Sequence, residues 1–137
     1  MKALLLHCRN YRMKVGLLAT RPENVKPEEV SEPEQKDTDC ITALVTIEKD
    51  DTSAKIKSIE TDIRKMAKDT GKKHVVILPF AHLSHEIAES DRAIALLDEL
   101  KDSLAVDFKV QRGHFGSHKE FTLDVFGHPG NVRFREY

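Results

Sequence analysis

Cysteine is scarce in this chain: Cys8 and Cys40 are the only two among 137 residues, each lies in or beside an apolar run, and no CxxC pair occurs. A disulfide framework is therefore excluded, and free, mostly buried thiols of a reducing compartment are expected. An excess of positive charge is missing too. The 22 Lys and Arg are balanced by 23 Asp and Glu, for a net charge of −1, so nothing marks a general nucleic-acid binder and any RNA contact has to be local. Long apolar runs are also absent. The opening Met1-Lys2-Ala3-Leu4-Leu5-Leu6 stops at His7, too soon for a signal peptide, and no stretch approaches the roughly 20 apolar residues of a membrane span. A soluble cytoplasmic protein is the expectation. There is no internal repeat, GxSxG, P-loop, dinucleotide fingerprint or HExxH. At this length the chain is one domain with a real core.

The residues that are present alternate between strand and helix signals. Residues 2–8 form a continuous apolar run too short for a helix, and Tyr11 to Thr20 alternates weakly as a second strand. Between Arg21 and Asp39, three prolines (Pro22, Pro27, Pro33) sit among seven acids and three bases, which predicts a solvated, charged insertion. The β-branched run Cys40 to Glu48 reads as a central strand. After the start signal Asp50-Asp51-Thr52-Ser53, Ile56, Ile59, Ile63, Met66 and Ala67 recur at helical spacing, and Gly71 closes the helix. His74 to Phe80 lacks alternation, as expected for a strand covered on both faces. A second helix, starting at Ser84 or Ser90, carries Ala93, Leu97, Leu100 and Leu104 on one stripe. This order suggests a right-handed βαβ crossover. Residues 108–112 and 120–126 alternate at period two and predict a hairpin-like pair, followed by a turn at 127–130 and an edge strand at 132–137. The class is α/β, a mixed β-sheet with two main helices in a single domain.

Two segments place histidines where a strand opens into a turn: Leu78 to Ser84, and Gly113-His114-Phe115-Gly116-Ser117-His118-Lys119. Strand ends of α/β sheets are where sites collect, so the pair predicts one cleft. Taken singly, His82 either lines that cleft or caps the next turn. Ser84 is most simply an N-cap, and Lys119 either holds an oxygen atom of a ligand or solvates a strand end. His114 and His118 have an i, i+4 spacing that would suit a metal on a helix, but Gly113 and Gly116 argue for a turn. Cys8 beside His7 makes no dyad, because neighbours in a strand point to opposite faces.

Taken together, the motifs carry a family pattern. Leu4-Leu5-Leu6-His7, Val45-Thr46-Ile47-Glu48-Lys49, Pro79-Phe80-Ala81-His82-Leu83-Ser84, Phe115-Gly116 with Lys119, and Gly127-His128-Pro129 stand in order along the chain. In these blocks the chain resembles the amino-terminal editing domain of archaeal threonyl-tRNA synthetases, which has a D-aminoacyl-tRNA deacylase-like fold. The resemblance implies proofreading hydrolysis of seryl-tRNA(Thr), needed because one methyl group is worth only about 1–3 kcal/mol of discrimination. It implies assistance by the terminal 2′-hydroxyl of the tRNA, with Lys119, His82 and His118 as catalytic candidates. Pro79, Phe80 and Ala81 would contact the aminoacyl adenosine, Ile47 would form a pocket wall, and Phe115, Gly116 and Ser117 the opposite loop. No cofactor and no metal are implied. The implied partners are the serine-bearing acceptor end of tRNA(Thr), the remaining synthetase domains and a second copy of the chain.

Two positions depart from the pattern. His118, preceded by Ser117, stands where an aromatic residue is expected before the lysine, and Gly130-Asn131-Val132 supplies no acid after Gly-His-Pro. Three alternatives accompany the editing reading: a D-aminoacyl-tRNA deacylase, a module that binds the acceptor end without hydrolysis, and a metal-dependent hydrolase using His82, His114 and His118.

Overall fold

A computed structural model describes residues 1–137. Strand β1 (Lys2–Leu18) pairs antiparallel with β2 (Glu34–Thr46), which leads to helix α1 (Ser53–Thr70) and strand β3 (His74–Pro79). A single 3₁₀ turn (Ala81–Leu83) precedes α2 (Ser90–Leu104), and β4 (Lys109–Arg112), β5 (Ser117–Val125) and β6 (Val132–Glu136) follow. The sheet order is β4-β3-β2-β1-β5, with β6 pairing the first residues of β1 beside β5. The sheet is mixed: β2, β3 and β4 run parallel, and the pairs made by β1 are antiparallel. The expected class, a single α/β domain with a mixed sheet and two main helices, is the one found.

Both helices pack on one face of the sheet. Ile56, Ile59, Ile63 and Met66 of α1 and Ala93, Leu97, Leu100 and Leu104 of α2 are buried against Ala3, Leu5, Ile41, Ala43, Val75 and Ile77. Each such large side chain contributes about 1.5–3 kcal/mol on burial. Gly71 ends α1 in the left-handed region at φ 69°, and its N–H caps the helix. The other face carries Leu6, Cys8, Tyr11, Met13, Cys40, Leu44, Val76 and Leu78. Strand β3 is therefore buried on both faces, which is why its sequence does not alternate.

Three sequence expectations are corrected. The first two predicted strands are one continuous strand of 17 residues. Between the Cys8–Cys40 and Asn10–Thr38 pairs, Asp39 takes φ 54°, and β1 slips in register against β5. Leu6 and Cys8 before that point and Tyr11 and Met13 after it face the same core, so the alternation changes phase, which the sequence presents as a break. The pair 108–112 and 120–126 is not a hairpin. Strand β4 pairs parallel with β3 through the α2 crossover, while β5 pairs antiparallel with β1. Period-two alternation reports one-sided burial and does not name the partner strand. Finally, the segment 21–39 is not a plain solvated insertion. Residues 34–39 belong to β2, and the stretch before them forms a strap across the end of the sheet.

Candidate functional site

The strap is held from both sides. The Ala19 N–H donates to the Gly116 carbonyl at 2.8 Å, the Lys26 N–H to Ser90 Oγ at 2.9 Å, and the Glu28 N–H to the Phe115 carbonyl at 3.3 Å. The Glu28 carboxylate accepts the Phe115 N–H at 2.7 Å and is gripped by both terminal nitrogens of Arg112. Burial pushes the Glu28 carboxyl up, but these hydrogen bonds and the guanidinium charge outweigh it and hold the group below its ordinary value. Arg112 also donates to Asp98 of α2 at 2.8 Å.

Under the strap lies a cavity of about 330 Å³ between the ends of β2 and β3, the start of α2, and the loop 115–119. All ten residues singled out in the sequence line it: Ile47, Pro79, Phe80, Ala81, His82, Phe115, Gly116, Ser117, His118 and Lys119. The two histidine-bearing segments thus form one cleft. Its floor is apolar, with Val45, Leu78, Ala88, Ala93 and Leu97 alongside Ile47.

The turn after β3 is tied down by Thr46. Its buried hydroxyl donates to the Phe80 carbonyl and lies 3.4 Å from the Leu83 N–H, while the Phe80 N–H donates to the Val45 carbonyl at 2.9 Å. The first turn of a 3₁₀ helix leaves the N–H groups of Ala81 and His82 without partners inside it. The His82 ring is exposed and stands edge-on to Phe80, centroids 5.1 Å apart. Ser84 does not cap α2, which starts six residues later; its hydroxyl donates to Glu48.

Lys119 is the one lysine of the cavity. Its Nζ donates to the Ser117 carbonyl at 3.0 Å, and burial pushes its pKa down to about 8 against the weaker opposing pull of Glu28. His118 is exposed at the same wall. His114 is buried behind the loop, with Nδ1 2.8 Å from Ser117 Oγ and Nε2 2.9 Å from the Glu28 carbonyl oxygen. Both of its ring nitrogens are thus taken up inside the protein. No group of three or more His, Cys, Asp or Glu side chains has the geometry to hold a metal ion, so His82, His114 and His118 do not form a ligand set. Val132 pairs with Leu6 on β6 and lies outside the cavity, so the missing acid at that position leaves no gap in the wall.

Sequence reasoning missed the strap residues Ala19, Arg21, Pro22 and Val25, which close one side of the cavity, and also Thr46 and Glu28. Val25 is an apolar residue inside a charged stretch, but so is the exposed Val30, so the sequence carried no signal that separates the two.

The family model for the archaea-specific editing domain of threonyl-tRNA synthetase matches residues 1–136. The chain belongs to that family. Among curated relatives, a threonine–tRNA ligase of Hyperthermus butylicus is 33% identical over 148 aligned positions, covering 100% of this chain and 23% of its own length. One from Nitrosopumilus maritimus is 32% identical over 130 residues, covering 94% of this chain and 20% of its own. One from Methanococcus maripaludis is 36% identical over 94 residues, covering 66% and 15%. The chain thus spans less than a quarter of the length of these ligases. A solved structure titled c-Myc DNA Unwinding Element Binding Protein aligns over 100% of this chain and 99% of its own with a TM-score of 0.72 at 14% identity, a likeness of fold. No helix of this editing-domain chain is long and apolar enough to cross a membrane.

Proposed function

We propose that the cleft hydrolyses the aminoacyl ester of seryl-tRNA(Thr), as a module of or companion to a threonyl-tRNA synthetase. The observation that carries this reading is the convergence of Lys119 with the Pro79–His82 turn in one cavity of a chain that belongs to the synthetase editing family. The cavity offers an apolar wall for a small side chain, backbone donors at Ala81 and His82, and a positive charge at Lys119. Near neutral pH the Lys119 side chain is an ammonium, suited to hold a carbonyl oxygen that gains charge as the ester is attacked. No serine–histidine–carboxylate triad lies near it: Thr46 is spent on the Phe80 carbonyl, and the ring that Ser117 meets, His114, has a backbone carbonyl rather than a carboxylate on its other nitrogen. Attack by water, oriented by the terminal 2′-hydroxyl of the tRNA, is the route this composition supports. His82 and His118, exposed at the mouth, would meet the terminal adenosine. The exposed Phe121, Val132 and Phe134 on β5 and β6 support pairing of two copies through that face.

The test is release of serine from seryl-tRNA(Thr) by the purified protein, abolished in Lys119→Ala. Seryl-tRNA(Thr) left intact by the wild type while tRNA still binds would make the domain an acceptor-end binding module. Faster hydrolysis of D- than of L-aminoacyl esters would make it a D-aminoacyl-tRNA deacylase.

A further inference from the structure

We propose that Ser117 and His114 form a proton relay that takes up the proton of the attacking water. The inference rests on the deacylase reading, which leaves one requirement unmet: a water that attacks an ester has to lose a proton, and the Lys119 ammonium cannot accept one.

The geometry of His114 fixes which of its nitrogens can help. Nε2 lies 2.9 Å from the Glu28 carbonyl oxygen, which only accepts, so Nε2 carries the hydrogen of the neutral ring. Nδ1 is then an acceptor, and Ser117 Oγ, 2.8 Å away, donates to it. The hydroxyl proton is aimed at the imidazole, leaving the Oγ lone pairs free to accept, and Oγ has no other protein partner. Ser117 lines the cavity, and its carbonyl receives the Lys119 Nζ at 3.0 Å, so hydroxyl and ammonium are two residues apart on one wall. A hydroxyl, a base in hydrogen-bond contact with it, and a third group orienting the base are the parts of an activated hydroxyl. His114 is 8% exposed, so the ring is shielded and held between the strap and the loop.

The step balances. The water oxygen bonds to the ester carbonyl carbon as its proton passes to Ser117 Oγ and the Ser117 proton moves to His114 Nδ1. The negative charge that forms on the former carbonyl oxygen faces the Lys119 ammonium. Collapse breaks the bond to the ribose oxygen, which takes a proton back through Ser117 from His114. Free serine and intact tRNA leave, and the neutral ring and hydroxyl are restored. Ser117 is the catalytic residue of the pair and His114, acting through it, a positioning residue.

Steady-state hydrolysis of seryl-tRNA(Thr) tests the relay. Ser117→Ala and His114→Gln should each lower kcat by about a hundredfold, at the lower end of what proton transfer contributes, with KM little changed. Ser117→Thr, which keeps the hydroxyl, should retain most of the rate. A solvent deuterium effect on kcat should be present in the wild type and lost in Ser117→Ala and His114→Gln, which a merely structural brace would not produce. Wild-type kcat in Ser117→Ala, or an unchanged isotope effect, overturns the relay and leaves the deacylase reading standing. A wild type that releases no serine sinks the deacylase reading instead. A fluorophosphonate probe then decides on the relay: labelling of Ser117 that disappears in His114→Gln supports it, and no labelling overturns it.

Discussion

Glu28 and Phe115 clasp each other across 87 residues of sequence: the Glu28 carboxylate accepts the Phe115 N–H at 2.7 Å, and the Glu28 N–H reaches the Phe115 carbonyl at 3.3 Å. With Arg112 on the same carboxylate, this clasp fixes the strap to the loop that carries Lys119. Glu28→Gln removes the charge and leaves Asp98 as the one carboxylate on Arg112, so it should destabilise the domain by about 1–3 kcal/mol in urea unfolding. The folded pKa of Glu28 lies below its ordinary value of 4.5. Its contribution is therefore fully present above that value and fades as pH falls through the folded pKa. Wild type and Glu28→Gln should differ by a constant amount above about pH 5 and converge in acid. A difference that persists unchanged to pH 3 would contradict the charge-based account.

On the proposed function, Lys119 sets activity against stability. Its pKa falls from 10.5 to about 8 on folding, because the buried charge is poorly solvated. Between those values the unfolded chain binds a proton that the folded one does not, so wild-type stability should rise with pH across that window. Lys119→Met should remove the slope, raise stability at neutral pH by about 1–3 kcal/mol, and release no serine. In the proposed mechanism the ammonium is the active form, so wild-type kcat should decline above about pH 8. Loss of stability in Lys119→Met would show that the lysine is held by contacts worth more than its desolvation.

How much of this was legible in the sequence depends on the range of the interactions. The periodic set Ile56, Ile59, Ile63 and Met66, the unalternating β3 and the Gly71 stop were readable because each rests on contacts within a few residues or on burial of one whole face. The ten cavity residues were readable through motif order, and spacing alone left His82 between cap and pocket. The partner of β4 was not readable, since alternation is the same for a hairpin and for a parallel edge strand. The strap was not either. Glu28 looks solvated beside Glu29, and only the fold brings Arg112 to it. Charged residues look alike in sequence whether they face water or a partner 84 positions away.

Gly116 is where the strap touches the loop most closely. It has φ 78°, and a Cβ there would lie 2.6 Å from Pro27 Cα, a backbone atom that cannot swing away. Gly71 has a similar φ of 69° with open space around it. Gly71→Ala should therefore cost about 1 kcal/mol of backbone strain alone, whereas Gly116→Ala should cost about 1–2 kcal/mol more and raise KM for seryl-tRNA(Thr) by loosening the strap. Urea unfolding of the two variants side by side separates strain from collision. Equal losses would show that the strap yields without consequence.

Cys8 and Cys40 are register partners on β1 and β2, both fully buried on the face away from the helices. Burial pushes both thiols up, Cys40 to about 12, so neither presents a thiolate at neutral pH. The pair flanks Asp39 and the phase change in β1, so access to either sulfur requires the long hairpin to open there. Labelling by an aromatic disulfide reagent at pH 8 should be negligible in the native protein and complete in denaturant. Its slow native rate should increase in Glu28→Gln only as far as global stability falls, since the strap lies apart from this pair. Rapid labelling of one thiol in the stable wild type would reveal a local opening of β1 from β2 that the packing of Tyr11 and Met13 does not permit.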